Sequence, residues 1–113
     1  MEAPTAGLRG FHAHIYFNPE ELPIAQAFAA RARDRFRCGV GQFHEKPVGP
    51  HPRGSCQLSL TPERFGAFAT WAASERGDLT IFAHGLSGDD LADHTHHVVW
   101  FGASEPLDLS IFG

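Results

Sequence analysis

The sequence predicts an α+β fold: a ferredoxin-like βαββαβ sandwich with a C-terminal extension of one or two extra strands. Three observations predict it. Apolar and polar residues alternate with period two in "GFHAHIYF" (10–17), "SCQLSL" (55–60) and "DLTIFAH" (78–84). Two segments with helical spacing, 23–36 and 61–77, lie between alternating segments. The Pro- and Gly-rich "EKPVGPHPRG" (45–54) joins the second strand to the third without room for a helix. The expected sheet is antiparallel with both helices on one face. Strand 1 is expected beside strand 3 and parallel to it, with strand 4 flanking strand 1 and strand 2 flanking strand 3.

Each element follows from its residues. In 10–17, Phe11, Ala13, Ile15 and Phe17 share one face, and His12, His14 and Tyr16 share the other. "NPEELP" opens a helix, with Asn18 or a later residue as cap and Pro19 or Pro23 in the first turn. Ile24, Phe28, Ala32 and Phe36 then mark its apolar stripe. "RCGVGQFH" (37–44) reads as a short strand weakened by glycine. In 55–60, Cys56, Leu58 and Leu60 point inward. The second helix is capped by Thr61, starts at Pro62, buries Phe65, Phe68, Ala69 and Ala72, and ends at Gly77. In 78–84, Leu79, Ile81 and Ala83 point inward, leaving Thr80, Phe82 and His84 on the other face. "SGDDLADH" reads as a short capped helical turn. "HHVVWFG" (96–102) and "LDLSIF" (107–112) are the extra strands.

Composition bounds the possibilities. The chain has 113 residues, 42% hydrophobic with ten Phe and two Trp, which suits one domain spanning 1–113 with a single core. Residues 1–9 are expected to be a flexible N-terminus. The formal charge of −4 is spread along the chain without a basic stripe, so nucleic acid is not an expected partner. No apolar run approaches the ~20 residues of a membrane span, and no signal peptide is expected. Cys38 and Cys56 fall at opposite ends of neighbouring strands, so they read as small core residues in a reduced, cytoplasmic setting.

Histidine is the outlier, with eight residues. One histidine on the polar face of a strand is ordinarily solvated. Here the predicted topology gathers several. His12 and His14 leave the helix-free face of strand 1, and His84 leaves the same face of strand 4. His44 and His51 bracket the proline-rich loop, and Pro50 and Pro52 hold His51 stiffly. His96 and His97 are adjacent, so only one of them can face a common site. Asp89 and Asp90 suit a helix N-terminus. Asp93 suits either that role or the orientation of a neighbouring histidine. Neutral imidazoles bind Zn, Fe, Cu and Ni, and three ligands with open positions describe a catalytic site. Glu45 is the nearest carboxylate for a two-histidine, one-carboxylate iron site. Tyr16, Trp100 and the phenylalanines of the open face could line a pocket for a flat aromatic molecule. Residue spacing stops there and names no reaction.

"FHAHIYF" (11–17), "KPVGPHP" (46–52), "AHGLSGDDLADHT" (83–95) and "VVWFG" (98–102) together resemble the DOPA 4,5-dioxygenase family. The resemblance covers roughly residues 10 to 105. It implies a ferredoxin-like fold and extradiol cleavage of a catechol such as L-DOPA by O2. It makes His14, His51, His84 and His94 the motif histidines. His84-Gly85 departs from the His-Pro expected at that point of the motif. The resulting hypothesis has His14, His51 and His84 hold Fe(II), with Zn or another divalent metal as the alternative. His94 or His12 acts as acid or base, and Asp93 orients His94. The expected partners are a small aromatic diol, O2 and a second copy of the chain. Two rival readings use the same residues: a non-catalytic metal-binding protein, and a cofactor-free dimeric α+β barrel enzyme.

Overall fold

The structure is a computed structural model and describes residues 7–113. A five-stranded sheet has the order β2-β3-β1-β4-β5. Its strands are β1 (Phe11–Phe17), β2 (Gly39–His44), β3 (Gly54–Leu60), β4 (Thr80–Gly85) and β5 (Val98–Phe101). The helices are α1 (Leu22–Phe36), α2 (Pro62–Glu75) and the short α3 (Asp90–Thr95). This is the expected α+β arrangement, extended at one edge by β5.

One face of the sheet carries the core. Ala13, Ile15 and Phe17 of β1, Leu58 of β3 and Ile81 and Ala83 of β4 pack against Phe28 and Ala32 of α1 and Phe68 and Ala72 of α2. Ile24, placed on the stripe of α1 by its four-residue spacing, is 59% exposed. The buried set is instead Ala25, Phe28, Ala29, Ala32 and Phe36. Steps of four advance about 40° around a helix, so the run Ile24, Phe28, Ala32, Phe36 drifts off the core, with Ile24 on its flank. In α2 the hydroxyl of Thr61 accepts the Arg64 N–H, Pro62 opens the helix, and Gly77 follows with φ of +58°. Cys38 and Cys56 are buried free thiols.

The expected parallel pairing of β1 and β3 is corrected: they are antiparallel, with Phe11 opposite Leu60 and Phe17 opposite Gly54. The crossover through α1 makes β1 and β2 run the same way without being neighbours. The hairpin then reverses β3. The β2–β3 loop therefore leaves the sheet at the Phe17 end of β1, opposite the end where β4 finishes. The expected strand at 107–112 is also corrected. Leu109–Phe112 is a 3₁₀ turn, because the Asp108 carboxylate accepts the Ser110 N–H at 3.1 Å and its hydroxyl at 2.6 Å. A local side-chain partner of this kind draws backbone groups away from a ladder.

Of the segment 1–9 expected to be flexible, residues 1–6 lie outside the described residues. Its end is tied to the loop after β4: Arg9 N–H donates to the Leu86 carbonyl at 2.8 Å, and Leu86 N–H to that of Gly10 at 2.9 Å. Gly85, standing where the motif expects proline, donates its N–H to the His97 carbonyl at 2.9 Å. No described helix is long and apolar enough to cross a membrane.

Candidate metal and catalytic site

The second face of the sheet carries the histidines because the strand period is two. In β1, His12, His14 and Tyr16 face away from the helices; in β4, Thr80, Phe82 and His84 do. The register sets His12 opposite His84 and His14 opposite Phe82, so His14 and His84 meet on the diagonal. Their Nε2 atoms are 3.1 Å apart. His12, His14 and His84 each offer a ligand atom, all within 4.8 Å of one another. Two imidazole nitrogens sharing one ion lie about 3.0–3.4 Å apart if each bond is about 2.1 Å, which the His14–His84 spacing matches. His84 Nδ1–H donates to the Gly85 carbonyl at 3.2 Å, leaving Nε2 as the free lone pair.

Burial keeps these imidazoles neutral. It lowers the pKa of His84 to about 4; the bond to Gly85 opposes the shift and the rings of His94 and His12 add to it. Burial and the neighbouring histidines hold His14 well below the ordinary value. His12 is lowered by partial burial and by His94. Neutral imidazole is the form that binds metal, so near neutral pH the cluster needs no proton loss to do so.

The β2–β3 loop starts from the far end of the sheet and folds back across it. His51 N–H closes a turn on the Val48 carbonyl at 3.1 Å, and the carbonyl of buried Pro50 accepts the Asp108 N–H at 2.9 Å. His51 thereby reaches the cluster, with its ring 4.1 Å from that of His14 and its Nδ1 2.7 Å from the Tyr16 hydroxyl. Burial and the nearby His94, His84 and His44 rings lower its pKa to about 4. The sequence hypothesis grouped His51 with His14 and His84 as metal ligands and set His12 aside for acid–base work. The three histidines whose ligand atoms lie within 4.8 Å of one another are His12, His14 and His84, with His12 directly across the ladder from His84, while His51 comes from a loop and bonds Tyr16.

The helix α3 supplies His94. Asp89 caps α3 by accepting the Ala92 N–H at 3.1 Å. His94 Nδ1–H donates to the Asp90 carbonyl at 2.7 Å, and its ring lies 4.1 Å from that of His84. Asp93 does not orient His94 as expected. It points to the other side of α3, where its carboxylate accepts Ser87 N–H at 2.9 Å, Ser87 O–H at 2.6 Å and His97 Nδ1–H at 2.8 Å. Burial pushes its pKa up, but these bonds prevail and hold it at about 2. His96 is exposed, and Glu45 is exposed and outside the cluster.

A cavity of about 240 Å³ is lined by His12, His14, His51, His84, His94 and Phe112, among others. The C-terminal turn puts Phe112 over it, 4.4 Å from His94. An adjoining cavity of about 220 Å³ shares His14, His51 and Gln57 and holds His44. Phe82, fully buried, touches the rings of His14, His84 and His94 and backs the cluster. Phe82 is placed on this face by its alternation with His84, as expected; Phe112 escapes sequence reasoning, since its position depends on the path of the C-terminal segment. The arrangement offers three histidines on strands that could hold a metal ion, a half-buried histidine with a bare Nε2, and a cavity beside both that Phe112 caps.

A family model described as the Dopa 4,5-dioxygenase family matches residues 11–111. The chain is 38% identical to an uncharacterized 21.2 kDa protein of Botryotinia fuckeliana, over 97% of this chain and 67% of that one. It is 30% identical to a DOPA 4,5-dioxygenase of Amanita muscaria, over 91% of this chain and 49% of that one, so it spans about half the length of that relative. It also resembles the crystal structure of a candidate dioxygenase from Nostoc punctiforme, with a TM-score of 0.90 at 32% identity over 96% of this chain and 94% of that one.

Proposed function

The chain belongs to the Dopa 4,5-dioxygenase family, and from that premise we propose that it is a metal-dependent extradiol dioxygenase acting on a catechol such as L-DOPA. The observation that carries the reading is the group of His12, His14 and His84, three neutral imidazoles with ligand atoms within 4.8 Å, opening on a cavity lined by further histidines and Phe112. These residues would hold Fe(II). The ion, when bound, supplies Lewis acidity toward the catechol hydroxyls and a redox partner for O2. His94 has committed Nδ1–H to the Asp90 carbonyl, so its bare Nε2 accepts a proton from a catechol hydroxyl. Phe112 closes over the ring and limits water. Ring opening puts both atoms of O2 into the product, so no external reductant is required.

The test is direct. Protein stripped with a chelator is reloaded with Fe(II) and offered catechols under air, while O2 uptake and a visible ring-opened product are followed. Activity that appears only on reloading supports the reading. Activity that survives the chelator points instead to cofactor-free acid–base chemistry. Stoichiometric metal with no catechol consumed points to a binding protein.

A further inference from the structure

Tyr16 is fully buried on the helix-free face, and neither metal holding nor proton acceptance as described uses it. Its ring lies against Phe82 and Trp100. Its hydroxyl makes one hydrogen bond among the described residues, to His51 Nδ1 at 2.7 Å. A single proton occupies that bond, and either group could supply it. If His51 Nδ1–H donated, the Tyr16 proton would be buried with no acceptor, a desolvation penalty with nothing to offset it. Tyr16 O–H therefore donates, and neutral His51 carries its one proton on Nε2. Nε2 has no protein partner, yet no buried side-chain polar atom among the described residues is left unpaired. Nε2 thus opens into the cavities that His51 lines. In this metal-free state, with one nitrogen accepting from Tyr16 and the other protonated, neither nitrogen of the ring presents a free lone pair.

We propose that Tyr16 is a positioning residue: it fixes His51 as the Nε2–H tautomer and makes it a hydrogen-bond donor to an oxygen of the bound catechol. The tautomer stands on geometry alone. Its use toward a catechol rests on the dioxygenase reading.

The tautomer is read by two- and three-bond ¹H–¹⁵N correlations on histidine-labelled, metal-free protein near neutral pH, with His51 assigned by its loss in His51→Gln. The expected pattern is a protonated Nε2 and a bare Nδ1, moving in Tyr16→Phe toward the average of the two tautomers. A protonated Nδ1 in the wild type overturns the proposal, even if Tyr16→Phe fails to fold. An unchanged His51 pattern in a folded Tyr16→Phe does so too. The second readout is 4-nitrocatechol binding to Fe(II)-loaded protein. Tyr16→Phe should weaken it about 5–10-fold, the worth of one hydrogen bond. In a His51→Gln background the donor is an amide, which has no tautomers, so adding Tyr16→Phe should change affinity less than about twofold. Equal weakening in both backgrounds would show that Tyr16 acts through packing and would sink the positioning role. If the tautomer moves as expected but no catechol is bound or opened, the assignment of His51 stands and the dioxygenase reading falls.

Discussion

Acid should destabilise the metal-free protein before its carboxylates protonate. His51 and His84 have pKa values lowered from 6.5 to about 4 by burial. In the unfolded chain both return to the ordinary value. Between these limits the unfolded state binds more protons, so stability falls as pH drops. Taking the 6.5 and about 4 of each residue, linkage makes the loss from about pH 7.5 to about pH 5 roughly 2 kcal/mol per histidine, or about 4 kcal/mol for the pair. His14, also held well below its ordinary value by burial, adds to it in the same direction. Asp93 does not contribute there, since its carboxyl titrates between 3.8 and about 2, below this window. A loss of about 4 kcal/mol is a large part of the roughly 5–15 kcal/mol that holds a domain together. Urea unfolding with chelator present, at the two pH values, measures it. His84→Gln removes one titrating ring, so the pH-dependent loss should shrink by about 2 kcal/mol whatever its effect on absolute stability. Stability that differs by less than about 0.5 kcal/mol between the two pH values would refute the reasoning. It would mean that the cluster is hydrated and the rings charge freely.

Other outcomes follow from the same contacts. His84→Ala should lose metal on desalting, while His51→Ala should retain it and lose activity; metal analysis of the two proteins separates ligand from donor. Asp93→Asn keeps shape but weakens bonds from Ser87 and His97. It should cost about 1.5–3 kcal/mol in urea unfolding, with metal content unchanged. Phe82→Ala should cost about 3–5 kcal/mol by the same measurement, because the ring is fully buried behind the cluster. Arg37 ends α1 with φ of +52°, so Arg37→Gly should raise stability by about 0.5–1 kcal/mol, read as a higher urea midpoint.

The fold and half of the site are legible without coordinates, and the division has a physical cause. Strand alternation is local, so it is enough to put His12, His14 and His84 on the face away from Ala13, Ile15 and Ala83. Caps are local too, which is why Thr61 and Asp89 read correctly. Strand direction is not local. The parallel pairing expected for β1 and β3 fails because only the whole β1–α1–β2–β3 path fixes it. That error put the proline loop at the wrong end of the sheet, yet His51 still arrives, because the loop doubles back through a turn at Val48 and a bond from Asp108 to Pro50. Nothing in "GPHP" announces that path, or that Tyr16 meets the ring at its end. Asp93 illustrates the remaining limit. A helix of six residues has several faces, and adjacency in sequence to His94 placed the carboxylate beside the wrong histidine.

The measurement that bears most directly on the account is anomalous diffraction at the iron edge from crystals of the Fe(II)-loaded protein. The account predicts a single peak enclosed by the imidazoles of His12, His14 and His84, with His51 held away by Tyr16. A peak bonded to His51, or iron bound elsewhere on the surface, would contradict it.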